Sequence, residues 1–363
     1  MSRSTQHPLL PETNRVGLSR RLATLACKRA IRGKLETALR ADFEREFPSH
    51  EDHPPPAERV ADALTTSQTY RLWSSASRAS QDRMWQVLAE QVDADYERIS
   101  SAASGATLGN LTLDPQAVPS YQTRHCIHGQ PGGYMLERDA GDLAAGVLYE
   151  AGGNLYALGQ GIGKRDSKGQ RLIQHIKERC GDIQPQRILE VGCAAGGQTA
   201  DYALGFPNAE CHAIDLSPGM LRYARARSAL LGADVSFSQA DAAATPFPDE
   251  HFDLIVSHNL FHEAPAEHVE RILAECCRLL APGGYCFHQD VPTQVDRLDP
   301  FTRFLSSWQK DNNDEPYWLE YASADLPQAC VNAGFDAERI HANYLRALDG
   351  PIPWYVIETS KPR

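Results

Sequence analysis

The chain has 363 residues, with 36 Lys and Arg against 47 Asp and Glu, and a formal net charge of -11; 42% of it is hydrophobic and 23% charged. That length allows one large domain or two ordinary ones, with ample core. The acidic balance argues against broad phosphate-backbone binding, and no apolar run approaches the ~20 residues of a membrane-spanning helix.

The first 35 residues are basic, with Glu12 the only acid among them, and lack the apolar core of a secretory signal. Nine scattered cysteines without a C-x-x-C pair fit neither a disulfide framework nor a thiolate zinc site, so reduced thiols in the cytoplasm are expected. Residues 15–105 read as helices. Leu35, Leu39, Phe43 and Phe47 recur every four residues, and Met84, Trp85, Leu88, Val92, Tyr96 and Ile99 mark a second face. The prolines of PSHEDHPPPAE, 48–58, stop the helix between them. This helical region, 1–105, is expected to join two copies or to roof a site.

Residues 106–168 form a connector with eleven glycines, from Gly109 to Gly163, and weak periodicity. A long irregular segment carrying aromatics and the paired His125 and His128 reads as a lid. Its expected substrate contacts are His128, Tyr134, Arg138, Tyr149 and Tyr156.

From 169 to 363 the pattern becomes strand–helix alternation. RILEVG, ECHAIDLS, DVSFSQAD, FDLIVSHN and GGYCFHQDV are apolar strands, separated by helices at 198–205, 218–231 and 266–280. ERIHANYL and PWYVIETSK add a terminal antiparallel pair. The expected fold is therefore α/β: a doubly wound, mostly parallel, Rossmann-like sheet of seven strands with an antiparallel edge. The 296–325 segment, with Trp308, Tyr317, Trp318 and Tyr321, reads as an insertion walling an acceptor pocket.

In such a sheet, ligands meet the carboxyl ends of the strands. Those ends carry Glu190 and Gly192, then Asp215, Asp241, His258 with Asn259, and His288 with Asp290. Asp215 follows Gly192 by 23 residues, near the spacing at which an acid accepts a ribose diol. Asp241 is placed for an exocyclic adenine amine. A dinucleotide loop would need a glycine at 194, where Ala194 stands, and a pyrophosphate would be repelled by Glu190. An aminoacyl sulfonium, with its cationic amino group, suits Glu190.

EVGCAAGG, HAIDLS, QADAAATPFPDEHFDLIVSHNLFHE and LLAPGGYCF, in this order, resemble the successive motifs of class I S-adenosylmethionine-dependent methyltransferases over about 170–295. Cys193-Ala194-Ala195 departs from the family's loop, which usually carries a third glycine. The resemblance implies that Glu190, Gly192, Cys193 and Gly196 line the methionine part of S-adenosylmethionine. By the same correspondence Asp215 and Leu216 meet the ribose, Asp241 and Ala242 the adenine, and His258 the sulfonium.

Methyl transfer is an in-line displacement that needs alignment, exclusion of water and, for a weakly acidic acceptor, a base. SHNLFHEAP offers His262, His258 and Glu263 for that work. His288 and Trp308 are expected at the acceptor. His258, His262, Glu263, His288 and Asp290 share one side of the sheet and invite a metal reading. Their spacing matches no metal motif, so none is expected. The expected function is methyl transfer to a small organic acceptor through O, N, S or acidic C, in secondary metabolism, with no nucleic-acid or membrane partner. A protein or tRNA acceptor and a non-catalytic scaffold are the competing readings.

Overall fold

A computed structural model of the chain describes residues 7–12, 14–49, 53–122, 125–156, 168–181, 183–292, 299–346 and 353–363. Five parallel strands run through its centre: β2 (Arg187–Val191), β3 (Glu210–Asp215), β4 (Ser236–Gln239), β5 (Phe252–His258) and β6 (Leu280–Asp290). The hairpin of β7 (His341–Arg346) and β8 (Pro353–Ser360) lies antiparallel to β6, as its sequence pattern implies. An eighth strand, β1 (Asn110–Thr112), pairs parallel with β4 and comes from the connector, where three residues leave no periodic signal. The order is β1-β4-β3-β2-β5-β6-β8-β7, so the chain reverses direction across the sheet between β2 and β5. Gly192, Asp215, Asp241 and Asn259 all lie at that end of the strands.

Both faces of the sheet are covered, which is why Ile188, Leu189, Leu254, Ile255 and Val256 are all buried without alternation. One face packs on α9 (Ala266–Leu279), through Val269, Ile272, Leu273 and Cys276. The other receives α6 (Lys168–Cys180) and α7 (Thr199–Gly205), through Leu172, Ile176, Ala200 and Tyr202.

The N-terminal helices are α1 (Arg15–Ala30), continued through a π-turn into α2 (Glu36–Glu46), then α3 (Ala57–Thr65) and the 37-residue α4 (Gln68–Ser104). Leu39, Phe43, Val60 and Leu64 meet Trp73 in a separate apolar cluster. That cluster also takes Phe301 and Phe304 of α10 (Pro300–Asn312). The first helix of the 296–325 insertion thus belongs to the helical region, because its apolar face finds its partners there.

Part of the expected lid is regular: α5 (Ala144–Tyr156) is a helix despite its glycines. Those glycines serve close packing. A Cβ at Gly146 would stand 2.4 Å from Tyr223 Cβ, and one at Gly152 would stand 2.5 Å from Trp85. Helix α5 is thereby wedged between α4 and α8 (Pro218–Leu230), and the buried Arg227 of α8 donates to Glu150 of α5 at 3.0 Å. Ser217 caps α8 by accepting the Met220 N–H, and its hydroxyl donates to the Tyr134 carbonyl at 2.6 Å. One residue so ends a strand loop, starts a helix and holds the lid.

Candidate active site

The loop after β2 answers what its glycines are for. Gly192 has φ of 68°, and a Cβ there would meet Leu260 Cδ1 at 2.7 Å. Gly196, at φ of 71°, would meet Ala224 Cβ at 2.9 Å. These absences of side chain are demanded by the protein itself, by backbone conformation and by packing on α8, before any ligand arrives. Cys193, expected at the methionine end, donates its N–H to the Ile214 carbonyl and packs its side chain in the core. Ala194 holds φ of 46°, a left-handed conformation that glycine adopts freely. Ala194→Gly should therefore raise unfolding stability by about 1 kcal/mol in denaturant titration, with the cavity unchanged.

Glu190 is buried behind this loop, taking a hydrogen bond from the Thr199 hydroxyl. Burial first, then the charges of Asp201 and Asp215, push its pKa from 4.5 up to about 8. The folded chain keeps this proton where the unfolded chain loses it, so stability falls as pH rises from about 5 to 8. Thermal melts should show this slope, and Glu190→Gln should flatten it by a few degrees at pH 8.

Beyond the loop lies a cavity at the carboxyl ends of the strands, floored by Gly192 and Ala194. Asp215 reaches it with its Oδ2 accepting the Ala194 N–H at 2.8 Å and its Oδ1 the Ser217 N–H at 2.9 Å. Burial raises its pKa against these donors. Asp241 stands further along, accepting from the Ala243 N–H at 2.9 Å and pairing with His268 Nε2 at 2.8 Å. Burial opposes its ionisation, but His268 wins and lowers the pKa. Leu216 and Ala242 line the same wall, with Ala240 and Ile272 between the two acids. Among the described residues no Lys or Arg lines the cavity. Two carboxylates flanking an apolar strip fit a nucleoside, which offers a diol at one end and an amine at the other.

The lid closes the opposite side. Tyr134 and Tyr149 line the cavity edge to face, 5.5 Å apart, and the Tyr134 hydroxyl donates to Glu263 Oε1 at 3.1 Å. His128 lies behind them, its Nδ1 on Glu315 Oε1 at 2.8 Å and its Nε2 3.7 Å from Glu263. Burial lowers an imidazole, but Glu315 and Glu263 outweigh it and raise His128. Its carbonyl accepts from Trp85 and Gln81 of α4, which fixes the lid to the helical region.

The expected bases separate by environment. His262 is buried with Nδ1 on Asp290 Oδ1 at 2.6 Å. Burial works against its charge, yet Asp290 and Glu263 raise its pKa well above the ordinary value. Its Nδ1 is taken by Asp290, and His262 does not line the cavity. His258 lines the cavity, but burial, with help from Lys168, lowers it to about 3, and its Nε2 is 2.5 Å from the Tyr202 hydroxyl. It is neutral and a weak base. Glu263 alone of the three presents a carboxylate to the cavity.

Three other expected contacts are not brought to the cavity. His288 is buried on Ser257 and Cys286 beneath Phe261. Trp308 packs on Trp73 at 5.1 Å and donates its N–H to Ser74, in the helical cluster. Arg138 is engaged by Asp142 and lies over Tyr96. Tyr156 ends α5, and its side chain lies outside the described residues. The sequence reading missed His268 and Tyr121; His268 sits one turn into a helix 27 residues beyond Asp241, with no local signal.

Residues 188–284 match the family described as methyltransferase domain. Over these residues the chain carries a methyltransferase domain. Among curated relatives, a fatty-acid O-methyltransferase from Mycolicibacterium smegmatis is 30% identical over 197 residues, 54% of this chain and 65% of the relative. A malonyl-[acyl-carrier protein] O-methyltransferase from Methylococcus capsulatus is 41% identical over 101 residues, 28% of this chain and 35% of that one. The chain thus spans less than two thirds of either relative. A solved structure described as an O-methyltransferase, from Nostoc punctiforme, is 16% identical with a TM-score of 0.49, covering 95% of this chain and 97% of its own. The methyltransferase domain holds the glycine loop, Asp215, Asp241 and Glu263. No helix among the described residues is long and apolar enough to cross a membrane.

Proposed function

We propose that the chain transfers the methyl group of S-adenosylmethionine to an oxygen of a small hydroxyl-bearing acceptor. S-adenosylmethionine supplies a methyl carbon already activated by its sulfonium. Asp215 holds the ribose diol, Asp241 the adenine amine, and the Gly192–Ala194 backbone the methionine end. Tyr134, Tyr149 and Glu263 meet the acceptor from the lid side and exclude water. Glu263 accepts the acceptor's proton: it lines the cavity, while His262 is turned to Asp290 and burial lowers His258.

The observation that carries this reading is the Tyr134–Glu263 contact at 3.1 Å, which puts a carboxylate on the same cavity as Asp215 and Asp241. The test follows labelled methyl from S-adenosylmethionine into a panel of phenols, alcohols and fatty acids. Transfer to a hydroxyl compound supports the reading, and no transfer to any member contradicts it. A second reading, methylation of a carboxylate, is favoured by the two relatives named for fatty-acid and malonyl substrates. A carboxylate brings no proton to remove, so the two readings differ in what Glu263 does. The setting proposed is cytoplasmic biosynthesis. Exposed Val16, Leu18 and Leu22 on α1 and Leu72 on α4 support pairing of two copies through the helical region.

A further inference from the structure

In the core between α9 and the sheet, α9 and β6 bring three metal-ligating side chains together. The Cys276 Sγ, the Cys286 Sγ and a ring nitrogen of His288 lie within 4.8 Å of one another, all buried. His288 Nε2 is 3.0 Å from Cys286 Sγ, and its Nδ1 is 2.7 Å from the Ser257 hydroxyl oxygen. With Nδ1–H donated to Ser257, the Nε2 lone pair faces the sulfurs, the orientation that a metal-bound histidine takes from its outer partner. Thr359 stands across the ladder from Cys286, with its hydroxyl buried beside that thiol. The fully buried Cys330 closes the same apolar cluster.

We propose that Cys276, Cys286 and His288 form a buried zinc site that pins α9 to the middle of β6. Zn–S bonds of about 2.3 Å and a Zn–N bond of about 2.0 Å in a tetrahedron put the sulfurs roughly 3.8 Å apart and the nitrogen roughly 3.6 Å from each, so the wider pairs close by about 1 Å at most while the 3.0 Å His288–Cys286 contact opens by about 0.5 Å. Binding releases the two thiol protons. Two thiolates, one neutral imidazole and a divalent ion sum to zero charge, which an apolar core accepts where an unpaired ion would be expelled. The fourth ligand is the neutral Thr359 hydroxyl, which leaves that charge balance unchanged. The site braces β6 two residues before Asp290, which holds His262. Loading happens as the chain folds, since the ligands are enclosed afterwards.

The test is metal analysis of the full chain, made without a histidine tag in zinc-supplemented medium, beside protein grown with cobalt(II). The expected result is about one zinc per chain and, in the cobalt protein, a thiolate-to-metal charge-transfer band. Cys286→Ala should lose both, while Cys277→Ala, whose thiol is outside the trio, should keep both. Less than about a tenth of an equivalent of zinc, or retention of zinc in Cys286→Ala, overturns the proposal. If Cys286→Ala fails to fold, the cobalt spectrum of the unaltered chain decides, and a spectrum without the thiolate band overturns it.

Discussion

Asp215→Ala should weaken binding of S-adenosylhomocysteine about 100- to 1,000-fold, read by calorimetric titration. The carboxylate ends β3, and its two oxygens already organise the Ala194 and Ser217 N–H groups. It therefore fixes the loop that faces the ligand while offering its remaining lone pairs to a diol. Losing it removes two charge-assisted hydrogen bonds to the ligand and leaves the Ala194 N–H unpaired. Asp215→Asn should lose less, because the amide oxygen can still accept one N–H. Circular dichroism and melting should show both variants folded, since the strand itself rests on Ala213 and Ile214 in the core. Equal affinity in Asp215→Ala and the parent would remove Asp215 from the ligand site.

The second large effect is expected at Glu263. Glu263→Gln keeps the size and the acceptor for the Tyr134 hydroxyl but cannot take a proton. On a hydroxyl acceptor, kcat should fall about 100- to 10,000-fold, with S-adenosylhomocysteine affinity within about threefold of the parent. On a carboxylate acceptor, kcat should hold or rise, because the change removes a like charge and no proton needs to leave. Steady-state kinetics on both acceptor types separates the two chemistries. An unchanged kcat on hydroxyl acceptors would end the base role of Glu263.

The sheet and the gathering of Asp215 and Asp241 on one cavity were legible because each rests on local pattern. Apolar runs marked β2 to β6, and the acids Asp215 and Asp241 followed their strands directly. The helices at 199–205, 218–230 and 266–279 fell close to their expected bounds for the same reason. What was hidden depended on contacts between distant segments. Gly146 and Gly152 look like helix breakers until Tyr223 and Trp85 are seen against them. Trp308 looks like a pocket wall until Trp73 claims it. His262 and His258 are the same residue type four positions apart, yet Asp290 raises the pKa of one and burial lowers that of the other. Cys276, Cys286 and His288 show no metal spacing because a helix and a strand supply them separately.

The most direct measurement is a crystal structure of the full chain with S-adenosylhomocysteine. The account predicts the ribose diol on Asp215, the adenine amine at Asp241 between Ala240 and Ile272, and the sulfur turned toward Tyr134 and Glu263. A ligand seated elsewhere, or a cavity still empty at about millimolar ligand, would contradict it.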